Sequence, residues 1–329
     1  MVAGIHHITL ITAKVQANVD FYAGFLGLRL VKRTGGFEDA TQLHLFYGDA
    51  TGSPGSLVTF LVWEDGSAGR AGYGQTGEIA LAIDPASIGF WLTRCLTFGV
   101  KVEGPMDEFG EPVLRLKDPD GMIVKLVGSR QTAASAPWTS EAIPSEHAIR
   151  RLRGATLFTE KPEESKGFLE RHFGYRFQAT AGTIQRLVSA SGDIIDVRDA
   201  QGFWSSAPGT GTVDHVAFRA ADDAELRSVL ALLQADDAGP INVHDRKYFR
   251  SLYVREPGGI LFELATDAPG MLIDEDEASL GTRLFLPAAN AERERELTLL
   301  MPQFSMPGDV RVIYRDLPFV HRFYTPEDA

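Results

Sequence analysis

The chain repeats itself, and the repeat decides what it can fold into. The run His7-Ile-Thr9 leading to Phe21-Tyr-Ala-Gly-Phe-Leu-Gly27-Leu-Arg29-Leu is echoed by Gly154-Ala-Thr156 leading to Phe168-Leu-Glu-Arg-His-Phe-Gly174-Tyr-Arg176-Phe. Thr9, Phe21, Gly27 and Arg29 each recur 147 residues later without a gap. Each copy reads as a strand, an amphipathic helix, a glycine stop and a second strand, the glycine suiting a helix C-terminus where φ is positive. A second pair of segments also matches. Glu78-Ile-Ala-Leu-Ala-Ile and Asp214-His-Val-Ala-Phe open it. Leu116-Lys-Asp-Pro-Asp-Gly-Met-Ile-Val-Lys125-Leu and Val254-Arg-Glu-Pro-Gly-Gly-Ile-Leu-Phe-Glu263-Leu close it. Asp-Pro-Asp-Gly and Glu-Pro-Gly-Gly are turn chemistry between strands, and residues 85–99 and 222–235 carry apolar positions at helical spacing.

The reading is therefore four modules, each one strand, one helix and three strands. It predicts an α+β fold in two domains, residues 1–130 from modules one and two and residues 149–270 from modules three and four. Between them, residues 131–147 are rich in Ala, Ser, Thr and Pro and read as a linker. Residues 271–329 form a tail with an acidic stretch, Asp274-Glu-Asp-Glu, then Leu284-Phe-Leu-Pro, then a helix over about 288–300. The tail is expected to pack on the body; a lid or an oligomer contact is the alternative, and a homo-oligomer stays open.

A net charge of -12 and a pI near 5.2 argue against nucleic acid or an anionic membrane surface as partner. A small anionic substrate stays open, since a local Arg overrides a global sign. The one cysteine, Cys95, sits in an apolar run and reads as a packed hydrophobe; a single thiol fits a reducing compartment. No stretch approaches the roughly 18 apolar residues of a membrane span, and no leader pattern opens the chain, so a cytoplasmic protein is expected.

The repeat makes the histidines interpretable. His7 opens module one, His215 opens module four and Glu263 closes module four, whereas the sister modules hold Gly154, Ile79 and Lys125 at the matched places. A buried His or Glu on an apolar strand is costly unless paired or ligated, so one metal site between modules one and four accounts for all three. Strand alternation sets His7 and Thr9 on one face, and sends His6 and Asp214, each just before a proposed ligand, to the other. There, as equivalent positions about a pseudo-two-fold, they are expected to touch. His44 alternates like an ordinary strand residue, and His147, His172, His244 and His321 read as exposed or loop-borne.

Gly4-Ile-His-His-Ile-Thr-Leu-Ile, Phe21-Tyr-Ala-Gly-Phe-Leu-Gly-Leu-Arg-Leu-Val-Lys, Leu45-Phe-Tyr-Gly-Asp-Ala-Thr-Gly-Ser-Pro-Gly-Ser and Asp245-Arg-Lys-Tyr-Phe-Arg-Ser-Leu-Tyr-Val-Arg-Glu-Pro-Gly-Gly-Ile-Leu-Phe-Glu263 resemble the glyoxalase/bleomycin-resistance/dioxygenase, or vicinal oxygen chelate, superfamily. Within it they resemble the ring-cleaving dioxygenases that act on hydroquinones, and Asp-Arg-Lys-Tyr-Phe-Arg is the most specific block. The resemblance implies the paired-module fold and Fe(II), or Mn(II), held by His7, His215 and Glu263. It implies roles near the reacting atoms for Arg246, Tyr253 and His6, and a position near the metal and substrate for Thr9. In those enzymes the His-His pairing at the first ligand tends to be echoed at the second; here Asp214 stands in that place.

Two His and one carboxylate on one face of Fe(II) leave the opposite positions for a dihydroxyarene and O2. Arg246 is a permanent cation able to stabilise a phenolate, and Tyr253 can hydrogen-bond a substrate oxygen or pass a proton. The rivals are a glyoxalase-type isomerase or lyase, which takes four protein ligands where this chain offers three, and a non-enzymatic binder of a small aromatic.

Overall fold

The computed structural model describes residues 4–36, 39–130, 136–309, 311–314 and 321–324. The opening of the linker at 131–135 and the ends of the expected tail at 310, 315–320 and 325–329 lie outside the described residues.

Each predicted module folds as strand, helix and three strands. Module one has β1 (Ile5–Thr12), a helix α1 (Val15–Val19) that widens into a π-helical turn (Asp20–Phe25), β2 (Arg29–Gly35), β3 (Leu43–Gly48) and β4 (Leu57–Val62). Module two has β5 (Gln75–Ile83), α2 (Ile88–Phe98), β6 (Val102–Glu108), β7 (Glu111–Lys117) and β8 (Ile123–Gly128). Module three has β9 (Arg151–Thr159), α3 (Pro162–His172), β10 (Arg176–Ala181), β11 (Ile184–Val188) and β12 (Ile194–Asp199). Module four has β13 (Val213–Ala220), α4 (Asp223–Ala235), β14 (Asn242–Asp245), β15 (Phe249–Arg255) and β16 (Leu261–Pro269). Gly27 and Gly174 follow their helices with φ of 69° and 68°, the left-handed residue the repeat implied. Asp118–Gly121 turns between β7 and β8, and Glu256–Gly259 between β15 and β16.

The fold is α+β with two curled sheets, and the strand pairing crosses the linker. One sheet runs β14-β15-β16-β13-β1-β4-β3-β2 and joins modules four and one; the other runs β10-β11-β12-β9-β5-β8-β7-β6 and joins three and two. Antiparallel pairing of β1 with β13, and of β5 with β9, makes each joint. Alternate residues of each strand, such as Ile8, Val216, Phe218 and Phe262, enter one continuous apolar core. The helices cross between sheets: Phe173 of the segment after α3 packs on Phe218 and Phe262 of module four, with ring centroids 4.5 and 5.6 Å away. Phe25 of module one meets Trp91 of α2.

Residues 271–301 of the tail pack on the body. Leu284–Phe285 forms β17, which pairs in parallel with β2 at the edge of the first sheet. The expected helix appears as a 3-10 stretch (Ala288–Arg293) followed by α5 (Glu294–Leu300), anchored by buried Leu297 and Met301. Lys32 of β2, fully buried, binds Asp274 and Glu275 of the tail at 2.7 Å each. Among the described residues no helix is long and apolar enough to cross a membrane.

Candidate metal centre

The core takes one face of the first sheet, so period-two alternation turns the other face into a concave cup. Three adjacent strands meet there. β1 brings His7, β13 brings His215 and β16 brings Glu263, with His7 opposite Ala217 and Ala217 opposite Glu263 across the ladder. His7 Nε2, His215 Nε2 and Glu263 Oε2 form a small triangle with edges of 3.3, 3.2 and 2.8 Å. All three residues are buried. Glu263 Oε2 receives no hydrogen bond, although a bare buried carboxylate oxygen is costly. Donors about 2.1 Å from one ion lie about 3.0 Å apart at octahedral right angles and about 3.4 Å apart in a tetrahedron. The triangle therefore fits three facial positions around a first-row dication, and the N2O donor set suits one.

Both ligand strands carry a β-bulge at this point. The ladder slips between Ile5 and His7, making His6 the extra residue, and again between Thr9 and Leu10, making Asp214 the extra residue on β13. The bulges overturn the alternation expected for His6 and Asp214. Neither is sent to the far face; each is turned behind the ligand that follows it. His6 Nδ1 lies 2.9 Å from His7 Nδ1, and Asp214 Oδ2 accepts from His215 Nδ1 at 2.6 Å. The contact expected between His6 and Asp214 is not formed among the described residues. Backed in this way, each ring points Nε2 at the centre.

The two backings differ in charge. Burial opposes a charge on His215, but Glu263 and Asp214 outweigh it and raise its pKa to about 9. Burial holds His7 below the usual histidine range despite Glu263, and burial together with His7 holds His6 well below it. Burial works against the Glu263 carboxylate, yet the two imidazoles keep it well below the ordinary range.

Several partners were not legible in the sequence. Ser251 of β15, fully buried, donates to Glu263 Oε1. Thr9 Oγ1 lies 2.9 Å from His215 Nε2 and 2.8 Å from Thr59 Oγ1, and Thr59 Oγ1 lies 3.0 Å from His44 Nε2. Tyr253 sits opposite Glu263 on β15, with the Arg246 guanidinium 5.5 Å from its ring centroid and the His244 ring 5.7 Å away. Burial, then Glu263, holds the Tyr253 hydroxyl well above the usual phenol range. His7, Thr9, His44, Asp214, His215, His244, Arg246 and Tyr253 line one cavity of about 500 Å³. His244 and His44, read from sequence as exposed and ordinary, both face it. His6 does not; it stands behind His7.

The second sheet holds the corresponding cup. Thr156 pairs with Glu78 as Thr9 pairs with His215, and Ala80 pairs with Lys125 as Ala217 pairs with Glu263. The residue matching His215 is thus Glu78, not Ile79, because Gly77 takes on β5 the bulged place that Asp214 takes on β13. Lys125 Nζ lies 3.2 Å from Glu78 Oε2 and 3.0 Å from Glu108 Oε2, and Thr156 donates to Glu78. An ammonium and its carboxylates fill this cup.

Residues 4–126 match the family described as the Glyoxalase/Bleomycin resistance protein/Dioxygenase superfamily. The chain is 37% identical over 286 residues to MhqO of Bacillus subtilis (strain 168), named a "putative ring-cleaving dioxygenase"; the match spans 86% of this chain and 91% of MhqO. It is 32% identical over 294 residues to the chlorohydroquinone/hydroquinone 1,2-dioxygenase of Sphingobium indicum, spanning 86% of this chain and 91% of that protein. A crystal structure of a "putative dioxygenase" from Bacillus subtilis superposes with a TM-score of 0.88 at 35% identity, covering 92% of this chain and 98% of that one. Glyoxalase I from Zea mays superposes with a TM-score of 0.60 at 16% identity, covering 80% of this chain and 92% of that one, a likeness of fold.

Proposed function

This chain belongs to the glyoxalase/bleomycin resistance protein/dioxygenase superfamily, and from that premise we propose that it is a metal-dependent dioxygenase that uses O2 to cleave the ring of a hydroquinone-like aromatic. The observation that carries the reading is the buried triangle of His7 Nε2, His215 Nε2 and Glu263 Oε2, with no edge above 3.3 Å, at the floor of a cavity large enough for an aromatic ring. Fe(II), with Mn(II) as the alternative, is the proposed occupant; it would acidify a bound phenol and bring ring and O2 together.

The protein's own groups divide the remaining work. Asp214 fixes His215 in the tautomer whose Nε2 lone pair faces the centre, and His6 does the same for His7. Ser251 pins the outer oxygen of Glu263, leaving the inner one aimed at the imidazoles. Tyr253 stays protonated at neutral pH, so it acts toward substrate as a hydroxyl donor; it does not start as a phenolate base. Arg246 beside it supplies a fixed positive charge for a phenolate oxygen. His6, away from the cavity wall, is a positioning residue.

Among the described residues the cluster has three His or carboxylate members, whereas the isomerase reading calls for four. The deciding experiment is anaerobic Fe(II) loading followed by O2-electrode assays on a panel of hydroquinones and catechols. Stoichiometric O2 consumption with a hydroquinone supports the reading. Tight Fe(II) retention without O2 uptake on any member of the panel rejects it.

A further inference from the structure

One polar group on the cavity wall has no part in the reading above. His44 lies on β3, two strands from β1, and its ring rests on Phe46 with centroids 4.1 Å apart. Its Nε2 is occupied by Thr59 at 3.0 Å, and Thr59 and Thr9 continue the polar line to His215 Nε2. Its Nδ1 makes no hydrogen bond among the described residues, although the side chain borders the cavity. Burial, then the neighbouring His7, His215 and Arg246, drives its pKa down to about 3, so the ring is neutral. A neutral imidazole with one nitrogen held and one open is built to meet a neutral hydroxyl. Across the cavity, Arg246, Tyr253 and His244 form a separate cluster.

Strands lie about 4.8 Å apart, so the His44 backbone stands roughly 10 Å from β1 and its side chain reaches back toward Thr59. Contacts of 3.0, 2.8 and 2.9 Å through Thr59 and Thr9 join His44 Nε2 to His215 Nε2, so the imidazole and the triangle border one cavity. A 1,4-diol bound at the triangle by one oxygen carries the other to the far side of its ring, toward β3. A 1,2-diol keeps both oxygens at the triangle.

We propose that His44 binds the distal hydroxyl of the substrate and so selects 1,4-dihydroxyarenes over 1,2-dihydroxyarenes. This rests on the hydroquinone reading. A site that hydrogen-bonds a hydroxyl rejects the analogue lacking it, because its own polar group is left unpaired.

The test is anaerobic equilibrium binding of hydroquinone, catechol and phenol to the Fe(II)-loaded protein. The wild type should hold hydroquinone about tenfold or more tighter than phenol, the worth of one good hydrogen bond. His44→Phe keeps a ring against Phe46 and should hold hydroquinone and phenol equally, with iron content unchanged. His44→Gln, which restores a hydrogen-bonding end, should recover part of the preference, and it carries the comparison if the Phe variant loses iron. A wild-type preference retained in both variants overturns the assignment to His44 alone. If no ring binds the loaded wild-type protein, the hydroquinone reading falls, and this proposal with it.

Discussion

Ser251→Ala removes one oxygen and tests whether Glu263 is aimed by its neighbour. Ser251 is fully buried and its hydroxyl donates to Glu263 Oε1, while Glu263 Oε2 faces both imidazoles. The alanine leaves Oε1 buried without a donor, and little empty space. A hydrogen bond to a charged group is worth about 1.5–3 kcal/mol. If that loss falls wholly on the metal-bound state, the metal dissociation constant rises roughly 10- to 150-fold. The usual effect of removing such an outer partner is about 10- to 100-fold, which agrees. If part falls on folding, the metal-free variant melts lower by a few degrees and the binding loss shrinks to match. The assay is anaerobic competition for Fe(II) against a chromophoric chelator, run beside thermal unfolding of the metal-free proteins. A dissociation constant within twofold of wild type together with an unchanged Tm would refute the reasoning.

Asp214→Asn should weaken iron retention by about 10- to 100-fold in the same competition, because the amide no longer fixes the His215 tautomer by charge; equal affinity would leave Asp214 without that role. Tyr253→Phe and Arg246→Ala should each lower kcat about a hundredfold at near wild-type iron content; a rise in KM alone would reassign that residue to uniform binding. Asp118 provides a pH test away from the centre: burial, the largest influence, lifts its carboxyl to about 6. Its folded pKa is above the unfolded one, so the stability it contributes is complete below about pH 4 and is lost as pH rises through about 6, a swing of up to about 3 kcal/mol. The stability of Asp118→Asn relative to wild type should therefore improve between pH 4 and pH 8 in denaturant titrations, and a pH-independent difference would contradict the assignment.

The module pattern was readable because it rests on long-range signals: a fixed spacing of 147 residues, glycine stops and turn blocks that no side-chain detail can obscure. His7 and Glu263 stood out because the sister modules hold Gly154 and Lys125 at those places, whereas His215 stood out against Ile79, which the pairing replaces with Glu78. What failed was period two. Alternation assumes one residue per step, and a bulge adds one without any mark in the sequence; this misplaced His6 and Asp214. Ile79 was taken for Glu78 for another reason: the two apolar strands were matched one residue out of step, and Gly77 is the true counterpart of Asp214. Ser251, Thr59 and His44 were missed for a different reason. A hydroxyl or imidazole on a strand is unremarked until the curvature of the sheet shows which strands converge. His244 read as loop-borne because β14 is four residues long and its neighbours are polar.

Lys125 gives the two cups unequal independence. Its ammonium is a cation on a tether, delivered with the polypeptide and impossible to chelate away; it meets Glu78 of β5 where β8 lies beside that strand, and Glu108 at the end of β6. With Arg115 bound to the same two carboxylates, this cup is charge-balanced by the chain itself, whatever the supply of metal. In the first sheet two imidazoles and a carboxylate have no such built-in cation among the described residues, and under the proposed function they take an ion from solution. Stripping that ion should loosen one cup and leave its sister whole, a finished template against which the emptied strands can reassemble. Under that reading, metal starvation should cost activity reversibly and spare the protein itself.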